Sequence, residues 1–116
     1  MFIINEDERE YRLGESGPKY LMKGPRINFA LVRIRPGETF QAHYHNLMEE
    51  DFFVLEGMVD IVVDGVRHTL APGDLIHMEP KEIHYLFNPY GQPAKMVAAL
   101  APSQEADKVN VTNPVC

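Results

Sequence analysis

The chain has 116 residues, enough for one compact domain and too few for two. Hydrophobic residues make up 45% and charged residues 24%, so an ordinary globular core is expected. The net charge of −6 at pH 7 speaks against a nucleic-acid partner, which needs a basic stripe, and against adsorption to an anionic membrane.

No apolar run approaches the roughly 20 residues of a membrane-spanning helix. The opening residues MFIINEDE turn acidic at once and carry no basic stretch, so no signal peptide is expected. The single cysteine, Cys116, is the last residue, which excludes an internal disulfide. It is expected to be a terminal thiol with no metal or catalytic role. These features fit a cytoplasmic protein.

Taken in chain order, residues 1–25 have a less regular pattern, with a loop at Gly14-Glu15-Ser16-Gly17-Pro18. They are expected to pack as a segment on the domain. Residues 26–35 (RINFALVRIR) read as a long strand ended by Pro36-Gly37. Strands follow over 39–45 and 51–55, the second turning at Glu56-Gly57. Residues 58–63 and 66–70 flank Asp64-Gly65, a two-residue hairpin signal because both central positions take positive φ. Ala71-Pro72-Gly73-Asp74 is another turn, then 75–78, 83–87 and 95–100 complete the series. Asn88-Pro89-Tyr90-Gly91 separates the last two. Nothing shows a helical stripe of usable length, and the best candidate for one helical turn is 103–108. The polar tail, 102–116, is expected to lie along an edge or hang free. The prediction is an all-β antiparallel sandwich or barrel with its core in 26–101.

Side chains alternate with period two along a strand, so His43 and His45 share a face with Gln41. On the next strand Glu50, Phe52 and Val54 share one. That parity favours Glu50 over Glu49 as the inward carboxylate, and only Asn46-Leu47-Met48-Glu49 separates it from His45. His84 has to come from a distant strand, and barrel closure is the expected way to bring it near. Neutral imidazole and carboxylate suit one divalent first-row ion: Fe, Mn, Ni, Cu or Zn. The opposite face carries Asp51, Phe53 and Leu55, so a second sheet or a second subunit is expected to cover it.

The two stretches that hold these residues resemble the two motifs of the cupin superfamily, in its small single-domain form. The first reads Gly37-x5-His43-x-His45-x4-Glu50-x6-Gly57, and the second Pro72-Gly73-Asp74-x9-His84-x3-Asn88. Gly65 stands one residue further from Pro72 than the usual pattern. Glu79 occupies a place where proline is common, with Pro80 just after it. The resemblance implies a jelly-roll antiparallel barrel, a homodimer, and a metal held by His43, His45, Glu50 and His84. It allows dioxygenases, isomerases, epimerases, decarboxylases and non-catalytic ligand-binding modules, and fold does not choose among them.

Metal-centred oxidoreductase chemistry on a small molecule, such as that of a dioxygenase, is the first expectation. The inferred lining is mainly apolar, with Phe52, Val54, Leu86 and the 95–100 strand around the His pair, and Gln41 as a hydrogen-bonding contact. Isomerisation of a sugar or keto acid is the second. It needs a positioned base, for which Glu49, Tyr44, Tyr85 and His77 are the candidates. Non-catalytic binding is the third. His77 has apolar neighbours and reads first as a core or interface histidine. His68 reads as a surface residue. Arg33 and Arg35 read as solvated charges, with an anion clamp as the alternative.

Overall fold

Strict alternation along Ala94–Ala101 sets the plan of the molecule. Ala94, Met96, Ala98 and Leu100 are buried, and the residues between them are half-exposed. Such a strand lies between a core and an outer face. The computed structural model describes residues 1–114, and Cys116 lies outside the described residues. In chain order its strands are β1 (Gly17–Lys23), β2 (Asn28–Ile34), β3 (His43–His45), β4 (Glu49–Glu56), β5 (Val59–Val63), β6 (Val66–Leu70), β7 (Leu75–Met78), β8 (His84–Phe87), β9 (Ala94–Ala101) and β10 (Lys108–Asn110). The one helical element among the described residues is a 3-10 turn at Glu6–Glu8, capped by the Asn5 side chain.

The strands form two five-stranded sheets in the orders β1-β2-β9-β4-β7 and β10-β3-β8-β5-β6. Every pairing is antiparallel. Facing each other, the sheets bury Ile34, Val54, Val59, Ile61, Met78 and Met96 completely or nearly so. This is the all-β antiparallel architecture that the sequence pattern predicts, in the jelly-roll form that the family resemblance implies.

The hairpin at Asp64-Gly65 has the expected backbone, with φ of 48° and 81°. Three other segments differ from expectation. Of residues 39–45, only His43–His45 pairs as a strand. Thr39 bridges Phe87 while His43 opposes His84, so four steps on one side meet three on the other. One extra residue must bulge out, and that breaks the ladder. Residues 17–23 form an edge strand against β2, where the sequence shows only an irregular segment. Residues 103–108 make no helix; the chain turns at Ala106, with φ of 54°, and enters β10, which pairs with β3.

The outer face of the first sheet has no second sheet over it among the described residues. Phe53 and Leu55 are exposed there, as is Leu75 on β7. At the inner end of β4, Gly57 adopts φ of 72°, and a Cβ there would sit 2.3 Å from the Pro93 carbonyl oxygen. Gly57→Ala should therefore lower unfolding stability by about 2–3 kcal/mol. Gly91→Ala, in open space, should change it by less than about 0.5 kcal/mol. Denaturant midpoints of the two variants check this, and equal midpoints would remove the steric reading of Gly57.

Candidate metal centre

His43 and His84 are directly opposed in the register of β3 and β8. His45 lies two residues along, so all three imidazoles project from one sheet. Glu50 stands on β4 in the other sheet. The expected geometry is thus corrected. His84 is a hydrogen-bonded neighbour of the His pair, and Glu50 is the residue that arrives from across the core. The reason is the 46–48 link, which leaves one sheet and enters the other. Its path is held by Asp107, a buried carboxylate that accepts from the N–H groups of Leu47 at 3.0 Å and Met48 at 2.9 Å.

The four side chains converge, with one donor atom from each lying within 4.8 Å of the others. Glu50 Oε1 is 3.0 Å from His84 Nε2 and 3.3 Å from His45 Nε2. His43 and His84 each place Nδ1 3.0 Å from a backbone carbonyl, of Gln41 and Glu82 respectively. A carbonyl only accepts, so each Nδ1 carries a proton; the His43 ring keeps its Nε2 lone pair for the centre, while His84 Nε2 lies against the Glu50 carboxylate. His45 is buried; its Nδ1 has no hydrogen-bond partner among the described residues, and its Nε2 meets the Glu50 carboxylate at 3.3 Å. Buried polar atoms are normally satisfied. A divalent ion on His45 would satisfy one nitrogen, and the donor set of three imidazoles and a carboxylate suits such an ion. The residues fit a metal.

Electrostatics at the centre points the same way. Burial alone would raise the Glu50 carboxyl, but hydrogen bonds with His45 and His84 outweigh it and hold it at about 2. Burial opposes charge on His84 too, yet Glu50 keeps its pKa above the ordinary histidine value. Burial, with His84 beside it, drops His43 to about 4, so that ring is neutral at pH 7. A cation entering here takes the place of the proton that Glu50 and His84 share.

The centre opens into a cavity of about 220 Å³ between the sheets. Its walls are mostly apolar, with Phe40, Phe52, Leu86, Ala98 and Leu100 among them. A family model described as the cupin domain matches residues 30–100, more than half the chain. The chain belongs to the cupin family. It is 36% identical over 73 residues to the polyketide synthase CurC of Streptomyces cyaneus, covering 62% of this chain and 47% of that one. It is 33% identical over 66 residues to quercetin 2,3-dioxygenase of Bacillus subtilis, covering 57% of this chain and 19% of the enzyme. This cupin therefore spans about half or less of the length of those curated relatives. Its fold matches an uncharacterised double-stranded β-helix protein of Klebsiella pneumoniae with a TM-score of 0.83, at 20% identity and over 97% of this chain and 99% of the other.

Other candidate residues of this cupin divide between the cavity and the surface. Phe52 and Leu86 line the cavity. Val54 does not; it is two residues deeper on β4 and packs in the closed core. Gln41 reaches the rim, but its amide donates to the Val111 carbonyl. Tyr85 lines the wall with its hydroxyl donating to the Pro114 carbonyl at 2.9 Å. Tyr44 alternates away from the His pair and lies under the Lys81 ammonium, outside the lining. Glu49 and His77 are exposed on the outer side, which corrects the core reading of His77. His77 bonds through Nδ1 to Asp51, and its Nε2 is 3.7 Å from Glu49 and 3.4 Å from Glu79. Its apolar chain neighbours Ile76 and Met78 face the core instead, as strand parity requires. His68 is exposed on β6. Arg33 donates to the Glu15 carbonyl and Arg35 pairs with Glu38, so neither faces the cavity.

Three lining residues with polar or charged side chains escaped the sequence reading: Arg12, Tyr20 and Lys108. Lys108 pairs with a strand remote in sequence, whereas Arg12 and Tyr20 lie in an N-terminal stretch whose pattern shows no strand. For Lys108 the one available signal was alternation with Asn110 in a tail that showed no strand pattern. The surface histidine offers a separate check. The hydrogen bond to Asp51 raises the His77 pKa above 6.5. Asp51→Asn should lower the His77 midpoint in a proton NMR titration, and an unmoved midpoint would show that Asp51 is not the cause.

Proposed function

We propose that this cupin binds one divalent transition metal ion through His43, His45, Glu50 and His84 and acts as a metal-dependent oxidoreductase, a dioxygenase of a small chelating substrate. The observation that carries the reading is the convergence of three imidazoles on an ionised, buried Glu50, with donor atoms within 4.8 Å of one another and the His45 ring left with a partnerless Nδ1 among the described residues. When bound, a redox-active ion supplies one-electron chemistry and a place for substrate and dioxygen to meet.

The chain's own residues prepare that chemistry. The Gln41 and Glu82 carbonyls fix the tautomers of His43 and His84. Phe52, Leu86, Ala98 and Leu100 form a dry wall around the centre, and the volume of about 220 Å³ suits a ligand below the roughly 300 Å³ of larger clefts. Likeness to part of quercetin 2,3-dioxygenase is consistent with oxygen chemistry.

Isomerisation is disfavoured by where the candidate bases sit. Glu49, His77 and Tyr44 lie outside the cavity, and the Tyr85 hydroxyl is engaged with Pro114. Tyr20 is the remaining hydroxyl in the wall, and burial next to Glu50 raises its pKa, which weakens it as a base at neutral pH.

Metal binding and turnover each test this. Protein purified without added metal or chelator should contain about one transition-metal ion per chain. His45→Ala should weaken metal affinity by more than the roughly 10–100-fold typical of lost outer-shell partners, with the circular dichroism unchanged. Protein loaded with Fe(II) or Mn(II) should consume dioxygen with a small enol or hydroxy-acid substrate. Exchange of solvent deuterium into such a substrate without oxygen uptake would overturn the dioxygenase reading in favour of isomerisation.

A further inference from the structure

The cavity carries two cations that the metal centre does not use. Lys108 opposes His45 in the register of β10 and β3, and directly opposed residues of an antiparallel pair share a face. Its ammonium is therefore on the side of the His45 ring, and it lines the cavity. Arg12 comes from the loop ahead of β1, where its N–H donates to the Pro18 carbonyl at 2.9 Å and the Leu13 N–H to the Ser16 carbonyl at 3.0 Å. Arg12, Leu13 and Pro18 all line the same cavity.

Neither cation has a carboxylate partner among the described residues. Lys19, Arg35, Arg67 and Lys95, by contrast, each pair with one. Among the described residues, Glu50 is the only carboxylate in the lining. That arrangement runs against the composition, since Asp and Glu number 17 and Lys and Arg 11. The two cations also feel each other: burial and the nearby Arg12 charge lower the Lys108 pKa. Both side chains are exposed to solvent at the mouth and Glu50 offsets part of their repulsion, so a bound anion would supply the direct ion-pair contact that neither has.

We propose that Arg12 and Lys108 form an anion subsite, so that the natural ligand is a small carboxylate whose apolar body lies against Phe52 and Leu86. The subsite deepens the metal reading, on which only the ligand's attachment to an ion depends. Arg12 offers a planar fork to the carboxylate and Lys108 a point charge. The rest of the ligand extends toward the histidines along the apolar wall.

Benzoate and its neutral isostere benzamide are the probes, titrated by protein-observed NMR into metal-free and zinc-loaded protein. The expected result is a preference for benzoate of about tenfold or more in both forms. The shifts should centre on Leu13, Phe52 and Lys108. The double variant Arg12→Gln, Lys108→Met should bring the ratio to about one, and Lys108→Arg should preserve it. Zinc uptake by the double variant should match the parent, which shows that the ligand set and fold are intact. Equal binding of the two probes, no benzoate binding up to roughly 10 mM, or a preference that survives the double variant would each overturn the subsite. A benzoate preference in protein that takes up no zinc would support the subsite and remove the metal reading instead.

Discussion

Glu50 reaches the interior from the sheet opposite the three imidazoles, and its charge has to be met there. A carboxylate taken out of water between two apolar sheets is strongly unfavourable unless paired. His84 and His45 meet it at 3.0 and 3.3 Å, and the carboxyl stays ionised although burial opposes it. Every other feature of the site follows from this cross-sheet contact. It links β4 of one sheet to β3 and β8 of the other through side chains alone and brings the donor atoms of all four residues within 4.8 Å of one another. It also sets the charge of the cavity floor.

Rigidity around that contact comes from groups that never touch it. The Asp107 carboxylate holds the backbone of the 46–48 crossing, and β10, just beyond it, pairs with β3. The carboxy-terminal strand thus does two jobs, bracing the crossing and delivering Lys108 to the rim. Asn88 braces the other end of β8, donating to the Ile34 and Gln92 carbonyls from a fully buried position. The second motif therefore supplies one candidate ligand, His84, and one structural clamp, Asn88.

Local alternation made much of this legible in the sequence. Parity alone separated Glu50 from Glu49, and the structure places the first inside and the second outside. Asp64-Gly65 announced its own hairpin because few dipeptides accept two positive φ angles. What stayed hidden was the long-range pairing. No local pattern tells that His43 faces His84 in one sheet while β4 joins the other. Nor does one reveal the extra residue between Thr39 and His43, which is defined only by the partner strand. Strand β10 and Lys108 were missed for the same reason, while β1 and Arg12 were missed because residues 1–25 show no regular alternation. His77 misled because its neighbours are apolar, although alternation sends them inward and His77 outward.

The convergence of His43, His45, Glu50 and His84 on one ion can be read directly from the ring nitrogens. Nitrogen-15 NMR of histidine-labelled, metal-free protein should show the His43 ring neutral and protonated at Nδ1 at pH 7. One equivalent of zinc should then shift ring-nitrogen signals of His43, His45 and His84 together, leaving His68 and His77 in place. Zinc shifting His77 or His68 instead, or shifting fewer than the three interior rings, would contradict a single shared site.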